Sequence, residues 1–188
     1  MTTPVEQVFK AFGSIPSEQE KWTVDLVPAG DVIVISLDYS LVPLVLALGG
    51  ANVTALSDNA DLLKRLADAN KFSKKPTFKL MHPLWRWEFP DESIDAVVCL
   101  CGFSRFVEFD ASGYLEDLDL SKKSTAILKS VMTRGDVIVL SEASRVLKPG
   151  GLFIISISED VVEQVDLSMF ELEDVYASDG VAVMALRK

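Results

Sequence analysis

The sequence predicts a three-layer, doubly wound α/β domain with about seven strands and an antiparallel hairpin at its C-terminal end. Three stretches predict it. From Asp31 to Ser57 the chain reads as β-branched Val32-Ile33-Val34-Ile35, a turn over 36–40, an apolar run from Leu41 to Leu48 stopped by Gly49-Gly50, and a second strand from Asn52 to Leu56. That order is a βαβ unit, which builds a parallel sheet with a right-handed crossover. Arg145-Val146-Leu147-Lys148-Pro149-Gly150-Gly151 ends a helix and reverses the chain into the apolar run 152–157. Finally, Phe170 to Tyr176 and Val181 to Leu186 form two strands joined across Asp179-Gly180, a strong hairpin signal.

The remaining elements follow in order. Val5, Val8, Phe9 and Phe12 share one face of a short helix over 4–12, with 1–24 as an N-terminal helical extension. Gly13 to Glu20 reads as a turn-rich connection, and Trp22 as a packing residue over the sheet edge or, alternatively, part of a lid over a ligand. Asp58 or Asn59 caps a helix running to about Ala69, with Leu62, Leu63 and Leu66 as its buried stripe. Thr77 to Met81 is the third strand and Asp95 to Cys101 the fourth. The segment 107–134 is read as an acidic and helical insertion, and Gly135-Asp136 starts the next helix. Ser158-Glu159-Asp160 caps a last one. The whole of 1–188 is expected to be one domain, a length that suits a sizeable single core.

Two stretches carry a family resemblance. Phe89-Pro90-Asp91-Glu92-Ser93-Ile94-Asp95-Ala96-Val97-Val98 resembles the FPDxSFDxVV lead-in to the fourth strand of class I S-adenosylmethionine-dependent methyltransferases. Arg145 to Leu152 resembles that family's turn into its fifth strand. The resemblance covers about residues 25 to 188 and implies the Rossmann-like methyltransferase sheet, with the ligand at the first strand-to-helix turn. Asp95 takes a structural role at the strand's start. The general pattern is also similar to the N-terminal domain of anamorsin, a methyltransferase-like domain without its cofactor site that serves iron–sulfur protein assembly. This chain has no Cys-rich tail of that kind, so the likeness is one of analogy.

The cofactor-reading positions implied by the resemblance are all replaced. The glycine-rich turn G-x-G-x-G falls on Ser36, Asp38 and Ser40, and the acidic residue two places earlier falls on Val34. The ribose-binding acidic residue falls on Ser57, and the adenine-contacting one near Pro83. Glycines let a backbone approach a ligand closely and adopt positive φ. Asp38 brings a carboxylate to where the cofactor's own methionine carboxylate would lie. His82, the chain's single histidine, is either a structural residue at a strand end or a base, and Ser104 and Arg105 have no partner that sharpens a role. No Asn/Asp-Pro-Pro-Tyr motif for amide or base methylation follows the fourth strand. No catalytic residue is assigned.

Composition narrows the partners. Net charge is −10 with a pI near 4.6, and no Lys/Arg cluster offers phosphates a surface, so nucleic acid is not an expected partner. Cys99 and Cys101 sit at strand spacing in an apolar run and read as core thiols. With one histidine they complete no ordinary zinc site, so no metal is expected. The sequence shows no targeting signal and no span for a membrane, which points to a soluble cytoplasmic protein. The expected function is a methyltransferase-like module with a degraded S-adenosylmethionine site, binding a protein, a basic one by charge, through 107–134. The competing expectation is an active methyltransferase of a small molecule or protein, with S-adenosylmethionine as its cofactor. In the first case no cofactor is bound.

Overall fold

A computed structural model describes residues 3–81, 86–101, 103–108 and 134–188. Its elements are helices α1 (Pro4–Ala11) and α2 (Glu18–Leu26), β1 (Asp31–Ser36), α3 (Val42–Gly49), β2 (Asn52–Ser57), α4 (Ala60–Ala69), β3 (Thr77–Leu80) and β4 (Ile94–Cys101). They continue with α5 (Phe103–Glu108), α6 (Gly135–Val146), β5 (Leu147–Ser158), β6 (Glu171–Ser178) and β7 (Val181–Arg187). The seven strands form one sheet in the order β3-β2-β1-β4-β5-β7-β6. The first five pair in parallel, and β7 pairs antiparallel with both β5 and β6.

The central strands are buried on both faces, which is why they read as unbroken apolar runs. On one face Ile33, Ile35, Val97, Phe153 and Ile155 pack against Phe103, Val139, Leu140 and Ala143 of α5 and α6. On the other, Val32, Val34, Val98 and Ile154 meet Val42 and Leu46 of α3. Outside that layer α1 and α4 close over Leu41, Leu44 and Val45. Three layers result.

Several elements differ from the sequence expectation. The stretch read as a turn-rich connection contains the start of α2, nucleated by a capping box in which Ser17 and Glu20 satisfy each other's backbone amides. Trp22 lies on α2, and its ring packs 6.2 Å from that of Tyr176 on the edge strand β6. Asn59, rather than Asp58, caps α4 by accepting from Leu62 N–H at 3.0 Å. The helix expected after Ser158 is only a 3₁₀ turn, Val162–Gln164, too short to propagate α-helical bonding. At the Lys148-Pro149-Gly150-Gly151 turn α6 already ends at Val146, and Leu147 pairs with Ile94 before the register jumps to Ala96–Leu152.

At the opposite edge from the strand C-termini, one carboxylate joins three strands. Asp95 Oδ2 accepts from Asp31 N–H at 2.8 Å, and Oδ1 accepts from Lys148 Nζ at 2.7 Å. A Cβ on Gly30 would collide with that carboxylate, so glycine is required there for space. Arg145 performs a similar task for the chain before β4. Its guanidinium donates to the carbonyls of Trp87 and Phe89, each at 2.9 Å, and to Asp91 and Glu142.

Arg145 is mostly buried, so truncation strands carbonyls and the Glu142 carboxylate. Arg145→Met, which keeps the apolar stem, should lower unfolding free energy in urea by about 3 kcal/mol. The Lys148 ammonium, and then the Asp31 amide, hold the Asp95 carboxyl below the usual carboxylate range. A depressed folded value means the contribution is complete above about pH 4 and disappears as pH falls through the lower folded value. In urea titrations below pH 4, Asp95→Asn should therefore lose stability with a shallower slope than the native chain.

Candidate functional site

In an open parallel sheet, ligands bind beyond the C-terminal ends of the strands, where the order reverses. Here the reversal falls between β1 and β4, and the turn 37–41 after β1 lies at that point. Ser36, Asp38 and Ser40 all sit at this turn. Ser57 stands one position beyond the Ile35–Leu56 pair, at the end of the neighbouring strand. Topology thus brings the four positions to one edge of the sheet.

Their side chains have different surroundings. The Ser36 hydroxyl is buried and has no hydrogen-bond partner. Ser40 is buried, and its Oγ accepts from Val42 N–H at 3.2 Å. Ser57 is fully buried, and its Oγ accepts from Asn59 N–H at 3.1 Å. Its carbonyl also accepts from Met81 N–H at 2.8 Å. Val34 faces α3 within the core. Asp58 is exposed one residue beyond β2.

Asp38 is half-exposed and bonded to Arg105, whose Nη2 donates to Asp38 Oδ2 at 2.9 Å. Arg105 lies on α5, a helix the sequence reading does not include. Phe103, Phe106 and Val107 explain the helix: all three are buried, and Phe103 meets Phe106 and Phe153 edge-on. Ser104 on the same helix accepts from Ser158 N–H at 3.0 Å, tying α5 to the end of β5. The Asp38–Arg105 pairing was missed because the residues are far apart in sequence. Adjacency of β1 and β4 in the sheet is the signal that connects them.

The start of α3 has few open donors. Val42 N–H is taken by Ser40, Pro43 has none, and Leu44 N–H donates to the Leu41 carbonyl at 3.0 Å. An anion site at a helix N-terminus needs those amides unpaired. Among the described residues the only non-glycine residues with positive φ are Glu92 and Asp179. The turn 36–41 therefore keeps its course without the conformational freedom of glycine. The positions His82, Pro83 and Trp85, and the insertion apart from its ends at 107–108 and 134, lie outside the described residues.

Strand order, the terminal antiparallel pair and the flanking helices together identify the architecture. The chain has the class I S-adenosylmethionine-dependent methyltransferase fold. An S-adenosylmethionine-dependent methyltransferase from Mesorhizobium loti superposes with a TM-score of 0.62 at 12% identity, over 92% of this chain and 99% of that one. One from Methanosarcina mazei gives 0.57 at 14% identity, over 89% and 96%. Magnesium protoporphyrin IX methyltransferase from Synechocystis, solved with bound S-adenosylmethionine, gives 0.59 at 11% identity, over 95% and 88%. No family model matches the sequence, and no curated protein does. No helix among the described residues is long and apolar enough to cross a membrane.

The serine contacts make a local prediction. Ser40→Ala frees the first amide of α3 and should cost about 1 kcal/mol in urea unfolding. The exposed Asp38–Arg105 pair should give a double-mutant coupling below about 1 kcal/mol, since water screens both groups.

Proposed function

We propose that this chain is a non-catalytic, protein-binding member of the methyltransferase fold, a pseudoenzyme acting in the cytoplasm and holding no cofactor. One observation carries the reading: the side chains standing where S-adenosylmethionine would be read are used for internal structure. Ser40 serves α3, Ser57 serves the turn into α4, Asp38 is paired with Arg105, and Val34 belongs to the core. Only the Ser36 hydroxyl is left over. The set does not fit the cofactor. Its ribose hydroxyls need a carboxylate acceptor, its amino group needs another, and its carboxylate needs open amides. Each missing contact of this type costs about 1 to 3 kcal/mol of binding, so losing them together removes useful affinity.

The partner in this reading is a protein of basic character, matching the net charge of −10. Exposed Asp58 at the end of β2 favours a second reading, an active S-adenosylmethionine-dependent methyltransferase in which that carboxylate takes the ribose.

Calorimetric titration with S-adenosylmethionine and its demethylated product separates the two. We expect no heat and no rise in melting temperature at millimolar ligand. Micromolar binding that Asp38→Arg or Asp58→Ala abolishes would overturn the non-catalytic reading and establish the second.

A further inference from the structure

The N-terminal end of the sheet, opposite the β1 turn, carries a cavity of about 260 Å³ between β1, β2 and the segment that leads into β4. Its floor is Asp31, Asn52 and Thr54, and its wall is Phe89, Pro90 and Ile94. Asp31 pairs with Asn52 and Ile33 with Thr54 in parallel register, so the floor residues share the sheet face on which Ile33 packs. The wall is fixed in place. Arg145 donates to the Phe89 carbonyl at 2.9 Å and to Asp91 at 2.6 Å. Ser93 Oγ donates to the Pro90 carbonyl at 2.7 Å, and Ser93 N–H to the Val146 carbonyl at 2.9 Å.

The floor is rich in acceptors and carries one unbalanced charge. Asp31 Oδ1 accepts from Asn52 Nδ2 at 2.7 Å. Among the described residues nothing donates to Asp31 Oδ2, to the side-chain oxygen of Asn52 or to Thr54 Oγ. The carboxylates around it are each joined to a cation: Glu88 to Lys79, Asp91 to Arg145, Glu92 to Lys188 and Asp95 to Lys148. Asp31 is joined to none among the described residues.

We propose that this cavity binds a small primary amine in its ammonium form, with an apolar body about one ring in size. An ammonium brings three donors and no acceptor, which matches a carboxylate flanked by an amide oxygen and a hydroxyl. An anion would meet the Asp31 charge, and a neutral ligand would leave that charge unanswered. Phe89, Pro90 and Ile94 give the body an apolar wall, and the volume lies just below the range of drug-sized pockets. Ser36, Asp38, Ser40 and Ser57 lie at the other end of the strands, so the site is independent of whether the β1 turn takes a cofactor.

The test titrates phenethylamine into the full isotope-labelled chain at neutral pH and follows backbone amide shifts by NMR. Phenethyl alcohol and hydrocinnamate serve as neutral and anionic ligands of similar shape. Expected are saturable shifts at Asp31, Thr54 and Ile94 with the amine alone. Asp31→Asn, which keeps the side-chain shape, should weaken amine binding at least tenfold, and Thr54→Val should weaken it several-fold. Valine suits a strand and both side chains are only half-buried, so melting temperatures should stay near native. Equal shifts with the alcohol, or undiminished amine binding by Asp31→Asn, would overturn the proposal. Where Asp31→Asn does not fold, undiminished binding by Thr54→Val overturns it instead. Shifts that spread over the surface without saturating would also overturn it, marking general attraction to a chain of net charge −10.

Discussion

The Asp95 carboxylate sets the register on which the rest of the sheet depends. Parallel strands cannot be joined by a tight hairpin, so nothing local aligns β1 with β4. Asp95 does so directly by accepting the first amide of β1 from within β4, and its second oxygen holds Lys148 at the start of β5. A one-residue slip in any of the three would exchange the side chains facing α3 with those facing α6. Gly30 records the same constraint from the other side, because any Cβ there occupies the carboxylate's place. The FPDxSFDxVV-like stretch is thus a structural device. Its Phe89 carbonyl and Asp91 go to Arg145 and its aspartate to the strand junction.

This placement separates the contacts that hold the register from the end of the sheet where ligands bind in this architecture. The register contacts lie at the N-terminal ends of the strands, and ligand contacts in this architecture lie at the C-terminal ends. Substitution at the second edge leaves the first untouched. What the second edge must still provide is a start for α3 and a start for α4, and serine supplies both as an acceptor of the next free amide. Glycine would leave those amides to water or to a ligand. In this chain the hydroxyl oxygens of Ser40 and Ser57 accept those amides within the protein.

The sheet was legible in the sequence because its signals are local: β-branched runs, Gly49-Gly50, and Asp179-Gly180 at a turn where Asp179 adopts φ 54° and Gly180 φ 75°. The α2 helix was not read: Ser17-Glu18-Gln19-Glu20 carries a capping-box signal, but the helix's apolar pattern is weak and its burial comes from the neighbouring Tyr176 and α3 layer. α5 was not legible. It is six residues long, below what local propensity can sustain, and exists because three of its side chains are buried against β5 and α6. At the candidate site, the four positions could be located, whereas the hydroxyl acceptors and the Asp38–Arg105 pair required the fold. A serine in a turn reads identically whether it faces a ligand or a backbone amide.

The last part of the chain before β7 is rich in carboxylates. Several acidic groups in other described parts of the chain are paired with cations, as in Lys64–Asp68, Lys79–Glu88, Arg134–Asp136 and Arg145–Asp91. From 159 to 179 no cation is interleaved, and Arg187 on the neighbouring strand answers one carboxylate. Like charges at that density repel one another and oppose compaction. Edge protection accounts for the bulge and for Asp174 at the Val175 amide, since both block strand addition. It does not account for two large apolar side chains on the face above, because an edge is protected equally well with polar residues there. Glu171 and Asp174 stand opposite Arg187 and Ala185, whereas Leu172 and Val175 stand opposite Leu186 and Met184, so charge and apolar exposure occupy opposite faces of this edge strand.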